Sequence, residues 1–258
     1  MSGVTLERPR AEVVRVVLDD PDRLNPQTPE TWAALTTAAR GLPAEVRVVV
    51  LTGRGRAFSS GLDRAAMGTL AHLATLDDAA LDATIASYQE AFTVWRRPGV
   101  LSVAAVAGHA VGAGFQLALA CDLRVAADDA RFRMAEPSLG LVPDLAGTGP
   151  LVRAVGEARA VELCLTGREV GAAEAARLGL VQLVVPRAEL DAAVDDLVEA
   201  VLATPAGAAA ETLDLLRGAA ERDAAHQQGL ERAAQARRLR SLAAERSGPR
   251  EAGTSTRG

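Results

Sequence analysis

Gly108-His109-Ala110-Val111-Gly112-Ala113-Gly114-Phe115-Gln116-Leu117-Ala118-Leu119-Ala120-Cys121-Asp122 is the stretch on which the reading of this chain turns. The run before it, Val100 to Ala107, is apolar and rich in β-formers, and predicts a strand. Closely spaced glycines then open an Ala/Leu-rich helix over 113–121. A strand that turns through Gly-x-Gly into a helix presents bare N–H groups at the positive end of the helix dipole. Such a turn favours negative charge: a phosphate, a carboxylate, or an oxyanion that exists only during a reaction. The stretch alone does not choose among these, and the glycines could equally serve only to let the helix approach the sheet. A dinucleotide fingerprint is disfavoured, because position 117 is leucine where the third glycine would stand.

Upstream, Val46 to Thr52 is a continuous apolar run of strand length, suited to a strand buried on both faces. A loop, Gly53 to Arg56, follows it, and then Ala57-Phe58-Ser59-Ser60-Gly61-Leu62-Asp63 supplies a second strand–glycine–helix turn. Earlier still, Glu12 to Leu18 reads as a strand, and Thr28 before Pro29 caps a helix running to about Arg40. Leu81 to Trp95 reads as a helix. Downstream, Leu123 to Ala126 and Arg131 to Met134 are short and strand-like, and Glu136 to Gly149 is Pro/Gly-rich loop with short helical turns. Gly156–Leu165 and Ala172–Leu178 predict helices, and Leu180–Val185 a strand. Beyond Pro186 the pattern is all helix: Ala188 to Leu202, Ala206 to Ala220, and Asp223 to about Ala244. This order predicts an α/β core over residues 1–190. A helical region over 191–245 is expected to pack on a partner subunit, and a tail over 246–258 to be disordered.

Composition narrows the function. The net charge is −5 over 258 residues, which does not suggest a nucleic-acid-binding surface. All 28 basic side chains are arginine, so Schiff-base lysine chemistry and a P-loop are excluded together. The three histidines lack metal-ligand spacing, so no metal is expected. No segment reads as a membrane span or a signal peptide, and Cys121 and Cys164 sit in apolar helical contexts without CxxC spacing. The expectation is a cytoplasmic protein with reduced thiols and no membrane partner.

Taken in order, the segments resemble the crotonase superfamily, which contains the enoyl-CoA hydratases and isomerases. The matching pieces are Arg23-Leu24-Asn25, Val48 to Gly53, Ala57 to Asp63, Ala104 to Gly108, Gly112-Ala113-Gly114, Cys121-Asp122, Phe132 through Thr148, and Leu165 to Arg168. Each is weak alone; the ordered set is specific, and covers roughly residues 10 to 190. The resemblance implies a spiral of repeated β-β-α units with C-terminal helices used in trimer packing, in a homotrimer or a hexamer of paired trimers. It implies an acyl-CoA thioester substrate, with no cofactor beyond the coenzyme A moiety itself. It also places the two backbone N–H groups that hold the thioester oxygen at Leu62 and Ala113. Family CoA contacts would fall at Arg23 and Leu24 and over Ser60 to Arg64, with Ser60, Asp63 and Arg64 as candidates.

The acid–base positions depart from the hydratase pattern. Family hydratases use two glutamates; the second is matched by Glu136, but the first is matched by Gln116. An amide cannot exchange a proton near neutral pH, though it can hydrogen-bond a water or a carboxylate. Some family isomerases work with a single carboxylate at the position of Glu136. Dienoyl-CoA isomerases add an aspartate eight residues further on, where Asp144 stands here, although they also carry an acid at the position of Gln116. The expectation is an enzyme acting through a thioester enolate, with isomerisation of an enoyl- or dienoyl-CoA preferred to hydration. Glu136 is the proton carrier and Asp144 a possible partner. The alternatives are a homologue that binds acyl-CoA without turning it over, and a specialised enzyme for aryl or polyketide-type thioesters. Asp144 could instead only cap a short helix, and Glu136 could be a solvated loop carboxylate. His109 is read as a packed or hydrogen-bonded neighbour of the turn rather than a base.

Overall fold

A computed structural model describes residues 3–66, 68 and 72–247; the tail expected over 246–258 lies, from residue 248 on, outside the described residues. The valine-rich runs build the main sheet. Strands β1 (Val4–Arg10), β2 (Val13–Leu18), β4 (Val48–Gly53), β6 (Leu101–Val106), β8 (Leu123–Ala127) and β11 (Leu183–Val185) lie in the order β1-β2-β4-β6-β8-β11. All neighbours are parallel except β1, which pairs antiparallel with β2 at the edge. The sequence reading began at Glu12 and missed β1, since Val-Thr-Leu-Glu-Arg-Pro-Arg is exposed almost throughout and shows no buried alternation.

After β4, β6 and β8 the chain adds a short strand outside the main sheet. These are β5 (Gly61–Leu62), β7 (His109–Val111) and β9 (Arg131–Arg133). β5 pairs with β3 (Pro26–Gln27), while β7, β9 and β10 (Val170–Gly171) form a second small sheet. This alternation is the spiral of β-β-α units. The opening stretch therefore does not run straight from β6 into the helix: β7 intervenes, and the Gly112 turn leads from β7 into the helix that starts at Ala113.

Helices cover both sheet faces. α1 (Pro29–Arg40) begins with Thr28 and Thr31 in a reciprocal capping box, as the Thr28-Pro29 pair predicts. α2 (Asp78–Thr93), α3 (Ala113–Ala120), α4 (Thr148–Val155), α5 (Glu157–Thr166) and α6 (Ala172–Arg177) follow. Val14, Val16, Val49, Leu51, Ala104 and Val106 point to the core shared with Trp32, Leu35, Phe92 and Phe115. The intervening residues Val13, Val48, Val50, Val103 and Val125 point the other way, onto Leu190, Val194 and Val198 of α7 (Leu190–Ala203). Those three side chains contribute about 1.5–3 kcal/mol each by burial. The first helix of the region assigned to partner packing is thus a second layer of the core, which a parallel sheet requires. α8 (Ala206–Leu216) and α9 (Ala224–Ser247) complete the chain. Arg217, just after α8, ties this region to the sheet. Its guanidinium donates to Asp122 Oδ1 (3.0 Å) and to the Val100 carbonyl (2.8 Å), and Asp122 also accepts from Ser102 N (2.9 Å).

Candidate active site

The site forms where β5 meets the start of α3. Asn25 prepares it from below. Leu24 and Asn25 both adopt left-handed backbone (φ 64° and 53°), and the buried Asn25 side chain holds the bend. Its Oδ1 accepts from Asp20 N (2.9 Å), and its Nδ2 donates to the carbonyls of Arg54 (3.0 Å) and Ala57 (2.8 Å). Gln27 donates to Ser59 Oγ (3.1 Å) and accepts from Trp32 Nε1 (2.9 Å). Ser59 Oγ donates to the Asn25 carbonyl (2.7 Å). Sequence reasoning missed Gln27 and Ser59; an amide and a hydroxyl beside predicted strand ends give no periodic signal.

Ser59 also forms the seam between the two glycine turns. It pairs with Ala110, donates from its N–H to the His109 carbonyl (2.8 Å), and accepts from Val111 N (3.1 Å). The approach is close enough that a Cβ at Gly61, where φ is +88°, would lie 2.4 Å from the Val111 oxygen and 3.6 Å from Ala113 N. Leu62 and Ala113 are thereby brought together at the wall of one cavity of about 830 Å³. Asp63 N donates to the Gln27 carbonyl (2.8 Å), so the alternating Leu62 N–H faces away from β3. Ala113 is the first residue of α3, and its N–H has no acceptor within the helix.

Glu136 opens a short 3-10 turn, Glu136–Leu139, and is buried rather than a solvated loop carboxylate. Its carboxylate lies beside the start of α3: a Cβ at Gly112 (φ +52°) would meet Glu136 Oε1 at 3.2 Å. Gln116 Nε2 donates to Glu136 Oε1 (2.7 Å), while Gln116 Oε1 accepts from Leu145 N (2.9 Å) and Gly147 N (3.3 Å). The two backbone donors fix which end of the amide faces Glu136. Glu136 Oε2 is buried without a hydrogen-bond partner. Burial holds the Glu136 carboxyl above the usual carboxylate range, against the lowering effect of hydrogen bonds that include Gln116; the charge of Asp144 also raises it. Burial raises Asp144 as well. Asp144 lines the cavity and does not cap α4, whose N-cap is Gly147 without a side-chain bond. Gln89 of α2 donates to the Asp144 carbonyl (2.7 Å) and steadies this loop. Trp32, Leu62, Leu81, Ile85, Tyr88 and Leu145 supply apolar wall.

The expected coenzyme contacts separate. Ser60 lines the cavity, and its N–H donates to the Leu24 carbonyl (2.8 Å). Arg23 and Asp63 pair with each other, and Asp63 also accepts from Ala65 N (2.9 Å). The backbone of Arg64 enters a short 3-10 turn over Arg64–Ala66; its side chain lies outside the described residues. His109 sits exposed on β7, not packed as expected.

This layout is a cavity with two main-chain donors at one end, a buried carboxylate beside them, and an apolar wall. The family model for enoyl-CoA hydratase/isomerase matches residues 8–249, and the chain belongs to that family. Among relatives, a probable enoyl-CoA hydratase of Mycobacterium bovis, EchA12, is 39% identical over 194 residues, which is 74% of this chain and 68% of the relative. A Thermobifida fusca protein assigned as an enoyl-CoA hydratase and crystallised with CoA is 50% identical, with a TM-score of 0.87 over 94% of this chain and 95% of its own. The structure of a Mycobacterium smegmatis enoyl-CoA hydratase is 30% identical, with a TM-score of 0.83, covering 92% and 91%.

Proposed function

We propose that this protein is an acyl-CoA enzyme that moves a double bond through a thioester enolate, with Glu136 as the proton carrier. The supporting observation is Gln116. Its oxygen is held by two loop N–H groups and its nitrogen is committed to Glu136, so one carboxyl rather than two stands at the hydratase positions. In a 3-enoyl thioester, ionised Glu136 removes a proton from C2. The electron pair moves into the thioester oxygen, held by the N–H groups of Leu62 and Ala113. Each such donor contributes roughly 3–4 kcal/mol to enolate formation in favourable cases. The carboxyl then returns the proton to C4, giving the 2-enoyl product with no water added. A carboxylate whose proton affinity is raised by burial is a stronger base for carbon acids. For a dienoyl substrate Asp144 is the second proton carrier at the far end of the chain. The coenzyme lies against the Leu24 and Ser60 backbone, with Arg23 and Arg64 toward its phosphates, and Asp63 acts there by holding Arg23.

We place this activity in the cytoplasm, in a homotrimer or a dimer of trimers. Leu216, Leu239 and Leu242 on α8 and α9 are exposed and support self-association. A monomer by light scattering at micromolar concentration would overturn the assembly.

The test of the reaction is mass spectrometry of 2-enoyl-, 3-enoyl- and 3,5-dienoyl-CoA in heavy water, with wild type and Glu136→Ala. Deuterium uptake without net hydration, lost in the variant, is the expected result. Net addition of water at a rate typical of two-glutamate relatives would refute isomerisation. Tight binding without exchange would assign a non-catalytic acyl-CoA binder.

A further inference from the structure

Among the described residues, two buried side-chain polar atoms lack a hydrogen-bond partner: Glu136 Oε2 and Arg133 Nε. Both residues belong to the wall of the same cavity. The first belongs to the proposed base, whose free oxygen is the one left to take the substrate proton. The second is a donor, on a residue that the reaction above does not use.

Arg133 ends β9, three positions before Glu136. Its backbone is fixed against β7 and the turn that follows it. The residue pairs with Val111 of β7, and its carbonyl accepts from Gly112 N (2.9 Å). Its Nη2 lies 3.9 Å from where a Cβ at Gly167 would stand, at the C-terminal end of α5. The negative end of that helix suits the positive charge but leaves Nε without an acceptor. Among the described residues no carboxylate forms an ion pair with Arg133. Arg168, by contrast, is held by both Glu162 and Glu174, and Arg217 by Asp122. The same cavity is lined by the apolar Leu139, Leu141, Val142 and Leu145 of the following loop. A cation with an orphaned N–H, in a mostly apolar cavity whose carboxyl groups Glu136 and Asp144 do not pair with it, is the arrangement that selects one polar group on a ligand. A buried unpaired donor also penalises a ligand that brings only hydrocarbon to it.

We infer that Arg133 recognises an anionic oxygen carried by the acyl group, so that the preferred substrate is a thioester of a dicarboxylic acid with its free carboxylate beyond the reacting carbons. The inference rests on the thioester reading of the site. An anionic oxygen could also come from a phosphate of coenzyme A, and short pantetheine thioesters, which lack the diphosphate, separate the two sources.

The experiment compares 3-hexenoyl thioesters with 3-hexenedioyl monothioesters, each on CoA and on pantetheine, using wild type, Arg133→Met and Arg133→Lys. The wild type is expected to favour the carboxylated acyl group in kcat/KM by about thirtyfold or more. Arg133→Met erases that preference by cutting kcat/KM for the carboxylated acyl group far more than for the 3-hexenoyl group, and Arg133→Lys restores part of it. The pattern holds on pantetheine. Equal losses for both acyl groups in Arg133→Met, with the Lys variant no better, would reduce Arg133 to a structural role and overturn the inference. An Arg133 effect confined to the CoA esters would assign it to a phosphate and overturn it likewise. Should no thioester exchange deuterium, the proposed reaction fails separately. Calorimetric binding of adipyl-CoA against hexanoyl-CoA then decides the Arg133 question, and equal affinities would overturn it.

Discussion

Replacing the fully buried Gln116 by leucine removes three hydrogen bonds and puts a γ-branched apolar side chain in its place. Leu145 N and Gly147 N lose their acceptor, and Glu136 Oε1 loses its donor. A stranded buried polar group costs about 1–3 kcal/mol. The bond to Gly147, at 3.3 Å, belongs at the low end of that range and the charged contact to Glu136 at the high end. The three together come to roughly 5–6 kcal/mol. A buried leucine in place of an amide offsets about 1–2 kcal/mol of this. The expected net loss is about 4 kcal/mol, which for a chain of this size is a fall in Tm of roughly 10 °C. Thermal unfolding of Gln116→Leu beside Gln116→Glu is the assay, because the glutamate keeps an oxygen for both loop donors. A second readout is the pH dependence of α-proton exchange. Gln116 lowers the proton affinity of Glu136, so without it the acid limb of the rate profile moves to higher pH. A Tm change under 2 °C in Gln116→Leu, or an unmoved acid limb, would refute the claim that this amide couples the loop to the carboxylate.

Ala113→Pro removes one oxyanion donor at a helix position where proline is tolerated, so exchange should fall about 10²–10³-fold with circular dichroism unchanged. Glu136→Gln is expected to abolish exchange and to stabilise the fold at neutral pH. Burial makes the folded chain hold this proton more tightly than the unfolded one, so wild-type stability falls as pH rises through the raised value. The gain should vanish below the ordinary carboxylate range, where both states are protonated; denaturant midpoints across pH measure it. Arg217→Met leaves Asp122, whose side chain is only 8% exposed, with only the longer contact to Arg96 (3.6 Å) as its cation, and should cost about 2–3 kcal/mol, less than a wholly unpaired buried charge. Asp122→Asn in the same chain should recover part of that in a thermal double-mutant cycle.

The sequence reading was strongest where many residues repeat one message. Val48 to Leu51 is buried at every position, and the apolar run there reads as a doubly covered strand without further help. The two-residue strands β3 and β5 carry the site yet are too short for any period to show, and they are set by Asn25, Gln27 and Ser59. α4 contains Thr-Gly-Pro at its start and hides inside a loop-like composition. α7 reads correctly as a helix, but nothing in its own pattern says whether its apolar stripe meets a partner or the sheet. In the site, Glu136, Gln116 and Asp144 stand out through the resemblance to the family and not from composition or period. The orientation of the Gln116 amide was not legible, because it depends on loop N–H groups about thirty residues away. Arg133 was unmarked because one arginine among 28 looks like any other until its partners are counted.

The seam at Ser59 and Ala110 has a consequence for how such a scaffold diversifies. Main-chain bonds link Ser59 with His109 and Val111, so the spacing of the Leu62 and Ala113 amides does not depend on what side chain either residue carries. On the proposed reading the oxyanion donors are backbone groups, while side chains set the apolar wall. Combinatorial libraries at Leu62, Ile85, Tyr88 and Leu145 should therefore reshape the cavity wall while the relative placement of the Leu62 and Ala113 amides is kept.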